Sequence, residues 1–380
     1  VWFFSFQSLI STLALQCRLM RKTIVAAFIL IFTGLTAYPQ YFATGEDPAV
    51  IKWRQINTEN FQLIFPDDFE SKAQVLANYF EMVYRHGSKT LDHNPRKISV
   101  LFHTHTVRSN GLVGWAPRRM ELFTPPHQEI YAQDWLQQLA IHEFRHVIQI
   151  DKIHQQLPSL LKILFGEQIS ALVTGAYLPF WLIEGDAVMA ETALSNYGRG
   201  RLPSFLMEHK AQIVEKGVFS FDKAFNGSYK HYVPDHYKLG YLLAGEIRAK
   251  YGADIWNSIL DNVSKKPFSF TPVNRMLHTK TGMNQEGLYR SILDSLVQIW
   301  TSNDFQYNEE IYRTVSRPSE NYTNYQYIHV LPDGNIVALK TTFEKISKFI
   351  QIDETGNEKY LFTPGQIFSE SVGYRDNMIV

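Results

Sequence analysis

Along the chain, the spacing of apolar positions shifts between a strand-like and a helical period. Phe61-Gln62-Leu63-Ile64-Phe65 alternates and stops at Pro66, which predicts a strand. Ala73, Leu76, Ala77, Phe80 and Val83 then recur at helical spacing within residues 70–86. Lys97 to His103, with Ile98, Val100 and Phe102 on one side, predicts a second strand. Glu121-Leu122-Phe123, after a loop rich in Gly and Pro, predicts an edge strand. With residues 38–60 read as extended, residues 38–128 form a small mixed α/β subdomain.

From Asp134 the period becomes helical. Asp134 is placed to cap a helix, with Gln137 three residues on, and Leu139, Ala140, Val147 and Ile150 supply its apolar sides. Further helices are expected from about Trp181 to Ser195 and over 204–216, 236–251, 253–263 and 285–301. Residues 129–312 therefore read as a mostly helical block. After Arg317-Pro318 short strands return: 327–331 and 336–339 around Pro332-Asp333-Gly334-Asn335, then 349–352 and 359–362 around 353–357. Evenly spaced strands with polar turns predict that 313–380 begins a β-propeller-like domain, the alternative being a small appended sheet. The expected fold class is α+β.

The N-terminus reads as an export signal. Met20-Arg21-Lys22 gives a start and a positive region, Thr23 to Leu35 a short apolar region, and cleavage is expected after Ala37. Residues 1–19 then form an upstream extension, the alternative being a membrane anchor over 1–37. The expected location is the periplasm, cell envelope or exterior. Lys plus Arg equals Asp plus Glu, so there is no net field to draw nucleic acid or an anionic membrane, and no nucleic-acid partner is expected. Cys17 is the one cysteine and lies before the expected cleavage point, so any metal must be held by His and carboxylate.

His142-Glu143-Phe144-Arg145-His146 carries the chemistry. Positions i and i+4 of a helix share a face, so both imidazoles can reach one ion. Glu143 is rotated off that axis and can accept a proton from water beside the ion without binding the metal. Chance produces this pattern in roughly a few per cent of chains with as many histidines. A catalytic zinc needs a third protein ligand and an open position, and Trp181-Leu182-Ile183-Glu184-Gly185-Asp186-Ala187 offers Glu184. Glu191, seven residues on, shares a helix face with Glu184 and is placed to accept a hydrogen bond from a ligand histidine. Asp186 points elsewhere and reads as structural. His103, His105, His127, His154 and His278 have no ligand spacing.

These two segments resemble the gluzincin zinc metallopeptidases, the peptidase MA-like superfamily that includes aminopeptidase N. In that family the Glu of Trp-Leu-x-Glu-Gly-x-Ala is the third zinc ligand, which the resemblance carries over to Glu184. The spacing departs from the family, because residues 147–183 separate His146 from Glu184. The insert 151–180 is expected to loop out and return, most of it as core, the alternatives being that its apolar runs cover the site, wall the substrate or touch a membrane. Tyr232 to Gly240 is similar to the segment that supplies a tyrosine hydroxyl to the oxyanion, which implies that role for Tyr237, with Tyr232, His231 and His236 as rivals. Signal peptide, gluzincin-like domain and TolB-like propeller together resemble a bacterial secreted group. The Gly-x-Met-Glu-Asn sequence of the exopeptidases is missing, so exopeptidase activity is not implied.

The expected function is zinc-dependent hydrolysis of peptide bonds, with His142, His146 and Glu184 on Zn²⁺, Glu143 as general base and Tyr237 at the oxyanion. The rival readings are a non-catalytic binding or scaffold protein that uses the propeller, and a zinc hydrolase of non-peptide amides. Expected partners are a peptide or protein substrate, a protein bound through the propeller and a peripheral outer-membrane contact.

Overall fold

The computed structural model describes residues 47–126, 134–302, 313–365, 372–375 and 378–379. The expected signal segment over 1–37, Cys17 and His127 lie outside the described residues. The fold is α+β: a five-stranded mixed sheet, a block of helices, and a four-stranded antiparallel sheet.

The first sheet runs β1 (Trp53–Asn57), β2 (Phe61–Pro66), β3 (Ile98–His103), β5 (Arg119–Phe123), β4 (Gly111–Gly114) in spatial order. β2, β3 and β5 are parallel neighbours, while β1 and β4 pair antiparallel on the two edges. The alternation in the sequence fixes the register. Phe61, Leu63 and Phe65 share a buried face with Val100, Phe102, Met120 and Leu122. Helix α1 (Glu70–Gly87) crosses over from β2 to β3 and lays Ala73, Leu76, Phe80 and Val83 on that face. The expected edge strand at 121–123 is instead interior, between β3 and β4. β4 holds only Leu112 and Val113 between two glycines, too short a run to register as a strand, yet Leu112 pairs with Glu121 and Val113 with Met120.

Helix α2 (Trp135–Gln156) begins where expected, with the Asp134 carboxylate accepting from the Leu136 and Gln137 amides at 3.0 and 3.2 Å. It packs on the sheet through Phe144, whose ring lies 5.5 Å from both Phe61 and Tyr84. Phe144 is about 200° around the helix from His142. Anchoring this ring in the core therefore turns His142 and His146 away from the sheet. The insert is helical: α2 continues to Gln156, and α3 (Ser159–Phe165) and α4 (Gln168–Tyr177) follow. Among the described residues no helix is long and apolar enough to cross a membrane.

Helix α5 (Phe180–Leu194) crosses α2, and α6 (Pro203–Lys216), α7 (Phe221–Asn226), α8 (His236–Tyr251), α9 (Ile255–Lys265), α10 (Pro272–Thr281) and α11 (Gln285–Ser302) complete the block. α5 and α8 touch backbone to backbone. A Cβ on Gly240 would sit 2.1 Å from the Trp181 carbonyl oxygen, and one on Gly185 would sit 2.2 Å from the Gly240 carbonyl carbon. Only glycine permits this approach, which brings the first turn of α8 against Glu184.

Beyond residue 313, β6 (Thr323–Val330), β7 (Ile336–Thr342), β8 (Lys348–Ile352) and β9 (Glu358–Phe362) form an antiparallel meander. Gly334 and Gly356 take the left-handed conformation at two of its turns. β10 (Tyr374–Arg375) and β11 (Met378–Ile379) pair after it.

Gly240→Ala gains roughly 1 kcal/mol of helix propensity. The clash with a backbone that cannot yield outweighs it, and urea unfolding is expected to show a net loss of about 1–3 kcal/mol.

Candidate metal centre

α2 and α5 bring the ligand atoms of His142, His146 and Glu184 together. The two Nε2 atoms are 3.2 Å apart, and each lies 3.3 Å from Glu184 Oε2. Ligands about 2.0–2.1 Å from a tetrahedral ion are separated by about 3.3–3.4 Å. The triangle therefore fits three corners of a zinc tetrahedron. Two imidazoles and a carboxylate suit zinc and also ferrous iron. These three residues are the one such metal-ligating group among the described residues.

Both rings are held from behind. His146 Nδ1 faces Gln149 Oε1 at 3.0 Å, one helical turn along α2. Gln149 cannot flip, because its amide nitrogen donates to the Ile183 carbonyl at 3.2 Å and to Asp186 at 2.9 Å. The amide oxygen therefore faces Nδ1, which must carry the proton, and Nε2 is left free for a metal. Asp186 is itself held by the buried Arg145 guanidinium at 2.6 and 2.9 Å, and Arg145 reaches Thr90 at 2.7 Å. Asp186 thus does not touch the ligand atoms and is structural, as its helical position suggests.

Behind His142 stands Glu191, fully buried, with Oε2 3.2 Å from Nδ1. Arg199 clamps Glu191 through Nε at 2.7 Å and Nη2 at 3.1 Å. Nη2 also lies 3.0 Å from Nδ1. A guanidinium can only donate, so with a metal on Nε2 the Nδ1 proton goes to Glu191. Arg199 reaches this position because the chain turns tightly after α5: a Cβ on Gly198 would meet the Thr192 backbone at 2.3 Å.

The electrostatics follow from this crowding. Burial opposes charge on His146, but the Glu184 carboxylate outweighs it and lifts the imidazole to about 9. His142 is likewise raised, burial being overcome by hydrogen bonds to Glu184 and Glu191. Burial also opposes the charge of Glu184, yet the two imidazoles hold it well below the usual carboxylate range. Glu191, despite burial, is brought to about 2 by Arg199 and His142. In the metal-free protein, the Glu184 carboxylate therefore favours the protonated form of His146.

Glu143 stays outside the triangle. Burial raises its carboxyl above the ordinary value, and Oε1 rests where a Cβ on Gly111 would be 2.7 Å away. Tyr237, in the first turn of α8, has its ring 6.1 Å from that of His142 and 5.5 Å from the Arg199 guanidinium carbon. Burial, then the negative charge of Glu184, pushes its phenol well above the usual range, so it keeps its proton. The rivals are engaged elsewhere. Tyr232 donates to Glu208 and stacks on Tyr322, and His231 contacts Lys223. His236 is exposed, with its ring 5.8 Å from Phe180 and 4.7 Å from Tyr237. His103 pairs with Asp47 at 2.6 Å, and His154 with Ser170 at 2.7 Å. Gln149 and Arg199 were not singled out from the sequence. Gln149 carried a signal in its position one turn after His146, and Arg199 carried none beyond the turn glycines beside it.

No protein-family model matches the chain, and no curated protein matches it significantly.

Titration with zinc is expected to saturate at one ion per chain. Glu191→Gln is expected to weaken binding by about 10–100-fold, read by competition with a chromophoric chelator. Binding must displace the His146 proton, so apparent affinity rises with pH up to about 9. The same raised pKa stabilises the metal-free fold fully below the unfolded value near 6.5, and that contribution is lost as pH climbs through about 9. Opposite slopes for metal affinity and metal-free stability over this window are the expected signature.

Proposed function

We propose that this protein is an exported zinc-dependent peptidase. The observation that carries the reading is the triangle of His142, His146 and Glu184 with a buried, uncoordinated carboxylate, Glu143, alongside it. His142, His146 and Glu184 would hold a zinc ion, which would supply Lewis acidity and make a nearby water easier to deprotonate. Glu143, its pKa raised by burial, accepts a proton at a carboxylate oxygen and returns it to the leaving amine. Tyr237 keeps its proton and donates a hydrogen bond to the oxygen on which negative charge develops. Glu191 and Gln149 hold the two imidazoles in the tautomer that leaves Nε2 free.

A peptide is favoured over other amides by what lies beside Glu143. β4 is the edge of the first sheet, and Gly111 at its start rests against the Glu143 carboxylate. An extended chain can add to such an edge through backbone hydrogen bonds, which brings a peptide carbonyl past the general base. Position 111 has no room for a side chain, because a Cβ there would lie 2.7 Å from Glu143 Oε1.

Cleavage of a peptide library, blocked by chelator and restored by zinc, tests this reading. Glu143→Gln is expected to lower kcat by at least about a thousandfold with zinc still bound. Tyr237→Phe is expected to cost about 10²–10³ in kcat with little change in KM. A Glu143→Gln protein as active as the wild type would remove the general base assigned here.

A further inference from the structure

The insert that separates His146 from Glu184 carries an unusual surface. Residues 157–180 contain only two charged side chains, Lys162 and Glu167, and an ordinary solvent-facing helix pair would carry many more. Leu161 and Phe165 of α3, with Ile169 and Val173 of α4, face the core. The outward side is apolar as well: Leu160, Ile163 and Leu164 of α3 and Leu172 of α4 are all exposed. This surface continues into the loop between α9 and α10, tied to the end of α4 by the Tyr177 hydroxyl donating to the Pro267 carbonyl at 2.6 Å. There Phe268 and Phe270 project 79% and 86% exposed, beside a cleft of about 440 Å³ bounded by Ala176 and Tyr177.

Cations outnumber acids along this part of the sequence, Lys265 among them pairing with Asp261 at 3.2 Å. Between Asp261 and Glu286 the chain has Lys265, Lys266, Arg275 and Lys280 and no acidic residue, in a protein of zero net charge. All four cations are exposed. Bulky apolar side chains flanked by cations match the boundary of an anionic bilayer, where rings enter the headgroup region and lysines meet lipid phosphates. α3 and α4 are too short to span a bilayer, so the contact is interfacial.

We propose that α3, α4 and the Phe268–Phe270 loop form a face that docks on an anionic lipid surface. The inference does not depend on the metal chemistry. The face does reach the metal centre: Phe180 follows α4, and its ring lies 5.8 Å from His236, which neighbours Tyr237 at 4.7 Å.

The full chain carrying Cys17→Ser and Phe270→Cys, labelled with nitrobenzoxadiazole, reports on the loop itself. Vesicles of phosphatidylglycerol and phosphatidylethanolamine are expected to shift its emission to the blue and saturate. About 1 M salt, where the Debye length is about 3 Å, is expected to weaken the response. Adding Lys265→Glu and Lys266→Glu is expected to raise the half-saturating lipid concentration at least about tenfold. The proposal is overturned if anionic vesicles leave the emission unchanged or if phosphatidylcholine vesicles act equally well. It is also overturned if the emission is already shifted without lipid or shifts with protein concentration alone, because the face is then covered by the chain or by a second copy.

Discussion

Three lone pairs pointing at one another inside a protein repel unless something positive lies between them. With a metal bound, His142 Nε2, His146 Nε2 and Glu184 Oε2 are such a set, 3.2–3.3 Å apart and largely shielded from water. Neither ring can escape by changing tautomer, because Glu191 and a Gln149 locked by Asp186 take up the Nδ1 protons. Burying so many polar groups is unfavourable unless each is matched. The matching extends two residues deep, through Arg199 on one side and the Arg145–Asp186 pair on the other. The polar interior of this fold is organised around the triangle of His142, His146 and Glu184.

The apolar interior delivers these groups. Phe144 locks α2 on the sheet and so points the two histidines away from it. Gly185 and Gly240 let α5 and α8 approach until their backbones touch, which sets Tyr237 beside Glu184. Gly198 folds the chain back so that Arg199 reaches Glu191. Each placement depends on a ring that fills space or a glycine that vacates it.

What was legible in the sequence was local. The helical spacing of His142 and His146, the Asp134 cap, and the alternation in Phe61–Phe65 are all rules that operate over a few residues, and the structure follows them. Glu184 was readable through the gluzincin segment that residues 181–187 resemble, and Glu191 then through a spacing that repeats the helix face of Glu184. The partners that hold the site were less so. Arg199 meets Glu191 only because a turn folds back, and no period marks that. β4 was hidden because Leu112 and Val113 give no alternation, and their strand exists only through pairing with β5. The insert gave apolar runs whose helical form was legible only once Ile169 and Val173 had a core to face.

X-ray absorption at the zinc edge of the loaded protein tests the central claim most directly. The account predicts a four-coordinate shell of nitrogen and oxygen at about 2.0–2.1 Å, with outer-shell scattering from two imidazoles. A shell of oxygen alone, or one with a single imidazole, would contradict it.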